Sequence, residues 1–147
     1  MFLNHYYHSV DRKGRIVIPS EFREKLQETV FLTPGIENCI FLYTESEWKR
    51  FYQRVASLSL TRKEARDFMR LFLSSAASAE IDPQGRVMLP THLRNYAQID
   101  KKVVLAGVGN RIEIWSEENW NNYMKNLEGK FEAIAESIEM IEPIHGD

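Results

Sequence analysis

The stretch Ser9-Val10-Asp11-Arg12-Lys13-Gly14-Arg15-Ile16-Val17-Ile18-Pro19 returns as Glu80-Ile81-Asp82-Pro83-Gln84-Gly85-Arg86-Val87-Met88-Leu89-Pro90, 71 positions later. Self-similarity at a fixed spacing reveals architecture before any single residue reveals chemistry. At that separation Asp11, Gly14, Arg15, Pro19 and Arg23 fall on Asp82, Gly85, Arg86, Pro90 and Arg94. Apolar positions match in kind as well: Val10 with Ile81, Ile16 with Val87, Val17 with Met88, Ile18 with Leu89, Phe22 with Leu93. After a one-residue slip, Asn38, Ile40, Leu42, Tyr43 and Trp48 meet Asn110, Ile112, Ile114, Trp115 and Trp120. The repeat therefore spans a whole supersecondary unit, and the chain reads as two copies of it.

Within each copy a β-rich run enters Asp-x-x-Gly-Arg and restarts at once, so Gly14 and Gly85 are expected to supply the positive φ of a tight hairpin turn. Pro19 and Pro90 end the following strand and open short helices over 20–26 and 91–97, because proline suits a helix start and cannot serve a central ladder. Strands at 30–32 and 103–105, a glycine-containing turn, and strands at 39–43 and 111–115 complete a β-turn-β-α-β-turn-β unit.

The period then changes from two to about 3.6. Thr44-x-x-Glu47 has the form of a capping box ahead of the apolar face Trp48, Phe51, Tyr52, Val55, and Trp120, Tyr123, Met124, Leu127 form a similar face after the second copy. Thr61-x-x-Glu64 predicts a linking helix with Ala65, Phe68, Met69, Phe72 and Ala76 on one side, after a hinge at 57–60. The last stripe, Phe131, Ile134, Ala135, Ile138 and Ile141, is expected to continue the preceding helix through Gly129. The stripe aromatics Trp48, Phe68, Phe72, Trp120 and Phe131 are read as core. The resulting division is a first unit over 5–47, a helical linker over 48–75, a second unit over 76–119 and a C-terminal helical segment over 120–147.

Composition narrows the class. A chain of 147 residues with 44% hydrophobic content supports a real core, and its single Cys39 cannot form an internal disulfide. The start Met1-Phe2-Leu3-Asn4-His5-Tyr6 has neither a basic leader nor a long apolar run, so a cytoplasmic protein with no membrane span is expected. A net charge of −2 gives no overall basic excess. Its distribution is uneven: 11–26 holds Arg12, Lys13, Arg15, Arg23 and Lys25 against Asp11, Glu21 and Glu24, whereas acids gather from Glu113 to Glu142.

The Asp-x-x-Gly-Arg turn is the sharpest local signal. Across such a turn the carboxylate can return to the turn amides or to the guanidinium, fixing the loop while neighbouring basic groups project. Turn stability alone does not require an arginine after each glycine. Arg12, Lys13 and Arg15 suit phosphate and base-edge contact by a β-ribbon, since the guanidinium fork grips guanine O6 and N7 or a phosphate with two bonds. In the second copy Pro83-Gln84 replace Arg12-Lys13, so the first copy should dominate such contact.

Catalytic readings find little. His5, His8, His92 and His145 show no metal-ligand grouping beyond His5-x-x-His8, which lies beside Tyr6 and Tyr7 in a predicted strand. Cys39 sits among alternating apolar residues with no identifiable base, and Gly107-Val108-Gly109-Asn110 falls between strands rather than ahead of a helix. No enzyme activity, metal or cofactor is expected.

The paired Asp11-Arg12-Lys13-Gly14-Arg15 and Asp82-Pro83-Gln84-Gly85-Arg86 turns, each followed by strand, proline and short helix, resemble the MraZ family, whose two units are similar to AbrB-type swapped-hairpin DNA-binding domains. The resemblance covers nearly the whole chain. It implies a mainly β core with packed helices, arranged as a pseudo-twofold swapped-hairpin (double-split) β-barrel, and a ring-shaped homo-oligomer. It also implies a nucleoid-associated transcriptional regulator that binds direct repeats in double-stranded DNA, in the promoter of the bacterial cell division and cell wall gene cluster. By motif match the DNA contacts fall on Arg12, Lys13 and Arg15, with Arg86 supplementary, while Asp11, Gly14, Asp82 and Gly85 hold the turns. A ring would offset one modest basic hairpin per chain, because later contacts become intramolecular. The alternative is an AbrB-fold protein-interaction module, such as an antitoxin-like partner, for which the amphipathic segment 131–142 is the best support.

Overall fold

The computed structural model describes residues 1–138, and its contacts divide the chain into a unit from Met1 to Glu117 and a separate segment from Glu118 onward. In the first unit the repeat is visible element by element. The first copy runs β1 (His5–Ser9), β2 (Arg15–Val17), α1 (Ser20–Arg23), β3 (Thr29–Pro34) and β4 (Ile40–Thr44). Two helices follow, α2 (Glu45–Ala56) and α3 (Lys63–Ser75). The second copy repeats the pattern as β5 (Ala77–Glu80), β6 (Arg86–Met88), α4 (Thr91–Tyr96), β7 (Lys102–Gly107) and β8 (Ile112–Ser116).

Six strands form one antiparallel sheet in the order β1-β7-β8-β4-β3-β5, and β2 pairs with β6 in a separate two-stranded ribbon. The six-stranded sheet has β1 and β5 as its free edges, so it is open rather than the closed barrel expected from the sequence. A second expectation changes too. Although Asp11 N–H reaches Arg15 O at 2.9 Å and Asp82 N–H reaches Arg86 O at 2.9 Å, the strands flanking each turn do not pair as a hairpin. They leave for different sheets and find partners in the other copy: β1 with β7, β5 with β3, β2 with β6.

Burial explains the exchange. Ile16 and Val87 face each other in the ribbon and are 1% and 0% exposed. Ile18 N–H to Gly85 O (2.8 Å) and Leu89 N–H to Gly14 O (2.9 Å) extend the ladder at both ends. The ribbon's inner face therefore closes one core cluster with Val30, Leu32, Ile40, Leu42, Val103, Leu105, Ile112 and Ile114 of the large sheet. Phe22 of α1 and Leu93 of α4 join it from symmetric positions. Burying a side chain of this size contributes about 1.5–3 kcal/mol, so pairing across copies is favoured wherever it buries both strands.

On the sheet's other face α2 and α3 pack through aromatic rings. Phe31 of β3 stacks on Trp48 at 5.3 Å, Tyr43 of β4 on Phe51 at 5.7 Å, and Trp48 and Phe51 both meet Phe72. Thr44 caps α2, its Oγ1 accepting from Glu47 N–H at 3.2 Å, but the Glu47 carboxylate turns to Arg50 instead of completing the box. Thr61 does not cap α3: the helix starts at Lys63 after Arg62, and the Thr61 hydroxyl bonds that of Ser59 instead. Phe72 is core, whereas Phe68 is exposed.

In the second unit the expected continuous helix is two helices, α5 (Glu117–Leu127, whose first residue belongs to the unit before) and α6 (Phe131–Ile138). Gly129 adopts φ +76°, a left-handed conformation that ends the first helix. Phe131, read as core from the stripe, is 76% exposed, and Ile134 and Ile138 are exposed beside it. The predicted stripe position Ile141, the acidic end at Glu142 and His145 lie outside the described residues.

Candidate nucleic-acid interface

Each Asp-x-x-Gly-Arg segment builds the same cradle. Asp11 Oδ1 accepts from the backbone N–H of Lys13 and of Arg15, both at 2.9 Å, while Oδ2 accepts from Arg15 Nε at 2.8 Å. Asp82 does likewise with Gln84 N–H and Arg86 N–H at 2.9 Å and Arg86 Nε at 2.7 Å. Gly14 and Gly85 close the turns by donating to the Asp11 and Asp82 carbonyls at 3.0 and 2.8 Å, with φ of +85° and +80°. Both carboxyls are held below the ordinary aspartate range, chiefly by the hydrogen bond from the arginine amide, although partial burial opposes the shift. The structure thus places Asp11, Gly14, Asp82 and Gly85 within the two turns, each aspartate bonded to the amides that follow it.

This geometry fixes what the arginines can offer. Nε of Arg15 and Arg86 is committed to aspartate, so the guanidinium is oriented with its two terminal nitrogens left to act as a fork. Both side chains are partly accessible, at 24% and 30%. Arg12 and Lys13 stand on the exposed tip and make no side-chain ion pair among the described residues. Pro83 and Gln84 occupy the corresponding exposed tip of the second turn.

The ribbon decides how these groups are arranged. Arg15 is paired with Met88 and Val17 with Arg86, and because strand side chains alternate, all four lie on the face opposite buried Ile16 and Val87. The two arginines predicted from separate copies thus share one surface. Gly14 lies opposite Leu89 and Gly85 opposite Ile18, so the turns stand at the two ends of the ribbon, about 14 Å apart at the usual rise per residue. The tip of one turn carries Arg12 and Lys13, and that of the other the uncharged Pro83 and Gln84.

Two further arginines belong to the site and were not singled out for it from sequence. Arg23 Nη2 donates to Pro83 O at 3.3 Å, and the Arg23 guanidinium lies against Gly85. Arg94 lies against Gly14, anchored by Nε to Leu89 O (3.0 Å) and Nη2 to Thr91 Oγ1 (3.1 Å). Their signal was present in the repeat, where Arg23 and Arg94 align, but nothing local says that each reaches the other copy's turn.

The residues weighed for catalysis are dispersed. His5 and His8 lie on β1, His92 Nε2 pairs with Ser75 O at 2.9 Å, and no group of His, Cys, Asp or Glu among the described residues is placed to hold a metal. Cys39 is buried, its thiol pKa pushed up by desolvation. Gly107 ends β7 and Val108 to Asn110 lie in the β7–β8 connection, with Phe2 bridging to Gly109. An apolar groove of about 460 Å³ lies elsewhere in the first unit, lined by Phe41, Phe51, Phe68, Leu71, Phe72 and Tyr96 among others. Among the described residues no helix is long and apolar enough to cross a membrane.

The family model described as "MraZ protein, putative antitoxin-like" matches this chain twice, over residues 1–71 and 72–139, one match for each copy of the repeat. The chain belongs to the MraZ family. The protein named transcriptional regulator MraZ of Carboxydothermus hydrogenoformans is 48% identical over 138 residues, covering 94% of this chain and 96% of its own length. Its counterpart from Natranaerobius thermophilus is also 48% identical with the same coverage, and that of Caldanaerobacter subterraneus is 46% identical over 95% of this chain and 97% of its own. These MraZ relatives carry the name of a transcriptional regulator, a non-enzymatic role, which accords with the absence of any catalytic grouping expected from the sequence.

Proposed function

We propose that this chain is a sequence-specific DNA-binding transcriptional regulator whose contact surface is the outward face of the β2–β6 ribbon together with the Asp11–Arg15 turn. The observation that carries the reading is the pair of aspartate-held guanidiniums, Arg15 and Arg86, on one face of a two-stranded ribbon. Antiparallel ribbons fit the major groove, and an arginine whose Nε is held can present its terminal nitrogens to guanine O6 and N7 without losing side-chain freedom on binding. Arg12 and Lys13 grip phosphate at the tip of the first turn. Arg86 contributes from the second copy, whose neutral Pro83-Gln84 tip adds little.

In this reading 5–47 and 76–119 are interlocked swapped-hairpin units, 48–75 is the linker between them, and copies assemble into a ring that aligns several basic turns on repeated DNA boxes. The boxes are direct repeats in the promoter of the bacterial cell division and cell wall gene cluster, and the protein acts in the cytoplasm at the nucleoid. Gel shift on that promoter fragment tests it. Arg15→Ala is expected to weaken binding more than any substitution among the acidic residues of α5, and undiminished binding by Arg15→Ala would defeat the assignment.

A second reading, an antitoxin-like protein-interaction module, draws on the family's printed description and on the apolar groove flanked by exposed Ile36 and Leu71. Copurification with a stoichiometric protein partner, without retention on DNA, would favour it.

A further inference from the structure

The ribbon's outward face carries two residues that arginine contacts leave unexplained. Val17 and Met88 are each 44% exposed, and the register sets Met88 directly opposite Arg15 and Val17 directly opposite Arg86, so the apolar pair lies on one diagonal of this face and the arginines on the other. Lone apolar side chains at a surface are ordinary. These two share one face and occupy equivalent positions of the repeat, so each copy places an apolar residue where an isolated two-stranded ribbon would ordinarily show a polar one to water. Arg15 and Arg86 share the face with them, Arg12 and Lys13 lie in the turn at one end of the ribbon, and Arg94 and Arg23 cover the turns at Gly14 and Gly85, against the carboxylates of Asp11 and Asp82 in the same turns.

An apolar pair interleaved with two guanidiniums is complementary to a polyanion with apolar spots on its floor. The major groove of duplex DNA has that character, because its edges carry phosphates and its only apolar base-edge group is the thymine C5-methyl. Extending the DNA-binding reading above, on which this rests, we infer that Val17 and Met88 are specificity-determining contacts that read thymine methyls beside the base pairs read by Arg15 and Arg86. Guanidinium forks and an apolar pair on one ribbon then distinguish G·C from A·T at neighbouring steps. A partner protein would account for the apolar pair but not for the guanidiniums interleaved with it.

The test uses the full chain and duplexes enriched by it from a randomised library. Val17→Thr keeps the β-branched shape and Met88→Gln keeps the length, and both sites are solvent-facing, so unchanged thermal midpoints accompany the binding measurements. Each variant is expected to lose about tenfold on the enriched duplex while binding an unrelated duplex as the parent does, with the same salt slope. Replacing single thymines by deoxyuridine removes only the methyl. At one or two positions this should reproduce the loss with the parent protein and add nothing with the variant that lacks that contact. Variants that bind the enriched duplex as tightly as the parent, or a parent indifferent to every deoxyuridine, would overturn the inference while leaving the DNA-binding reading intact. A parent protein that enriches no sequence and shows no salt-dependent duplex binding would overturn both.

Discussion

Arg94 lies so close over Gly14 that a β-carbon at that glycine would stand 2.9 Å from Arg94 Cζ. The reverse relation holds at the other end of the ribbon, where Arg23 crowds Gly85. Each turn is therefore shaped by its own aspartate and covered by an arginine from the other copy. Glycine is required for its positive φ, and an added β-carbon would also have to displace the guanidinium above it.

Gly14→Ala should lose about 1–3 kcal/mol of stability, read as a lowered urea midpoint, because alanine resists φ +85° and displaces a guanidinium anchored at Leu89 O and Thr91 Oγ1. Adding Arg94→Ala removes the clash but leaves the backbone strain. The double variant is expected to cost less than the sum of the single ones, whereas strict additivity would mean that Arg94 moves aside freely.

Acid should loosen both turns together. The Asp11 and Asp82 carboxyls titrate below their ordinary range in the folded chain, so their contribution is fully present above the unfolded value near pH 4 and disappears as pH falls through the lower folded value. Thermal midpoints of the Asp11→Asn, Asp82→Asn double variant should be lower than the parent's at neutral pH and converge on them below about pH 4. A constant gap across that window would show that the charge of these carboxylates is not what holds the turns.

The unequal tips make a directional prediction. Arg12→Ala and Lys13→Ala should each reduce the slope of log binding constant against log salt by about one, the value for a lost phosphate contact, while Gln84→Ala should leave it unchanged. Installing the missing charge with Gln84→Lys should steepen the slope if the neutral tip also approaches DNA. Titrations at several salt concentrations measure all four.

Much of this arrangement is legible in the chain. The alignment of Asp11 with Asp82 and Gly14 with Gly85 predicts both turns, and Pro19 and Pro90 mark the starts of α1 and α4. What local pattern does not carry is partner choice. Val10 to Ile18 reads as one hairpin because the turn chemistry is local, whereas β1 pairs with β7, and β2 pairs with β6 where Ile16 meets Val87 in the core. The same limit hid Arg23 and Arg94, whose contacts lie 60 or more positions away in sequence for Arg23 and across the ribbon for Arg94. Helical periodicity overran Gly129 because an apolar stripe persists on both sides of a residue whose φ breaks the helix.

Adjacent residues of β2 should separate structural from surface roles. Ile16→Ala removes a side chain that is 1% exposed and opposes Val87, so a loss of about 2–5 kcal/mol is expected, and Val87→Ala should also be costly. Since the two occupy one contact across the copies, their effects should be non-additive by about 0.5–3 kcal/mol. Val17→Thr, one residue along and solvent-facing, should change the unfolding free energy by no more than about 0.5 kcal/mol. If β2 paired within its own copy instead, Ile16 and Val87 would no longer face each other, and their costs would come closer to adding. Denaturant unfolding of the two single variants and the double variant therefore tests the exchange of strands directly, independent of any ligand.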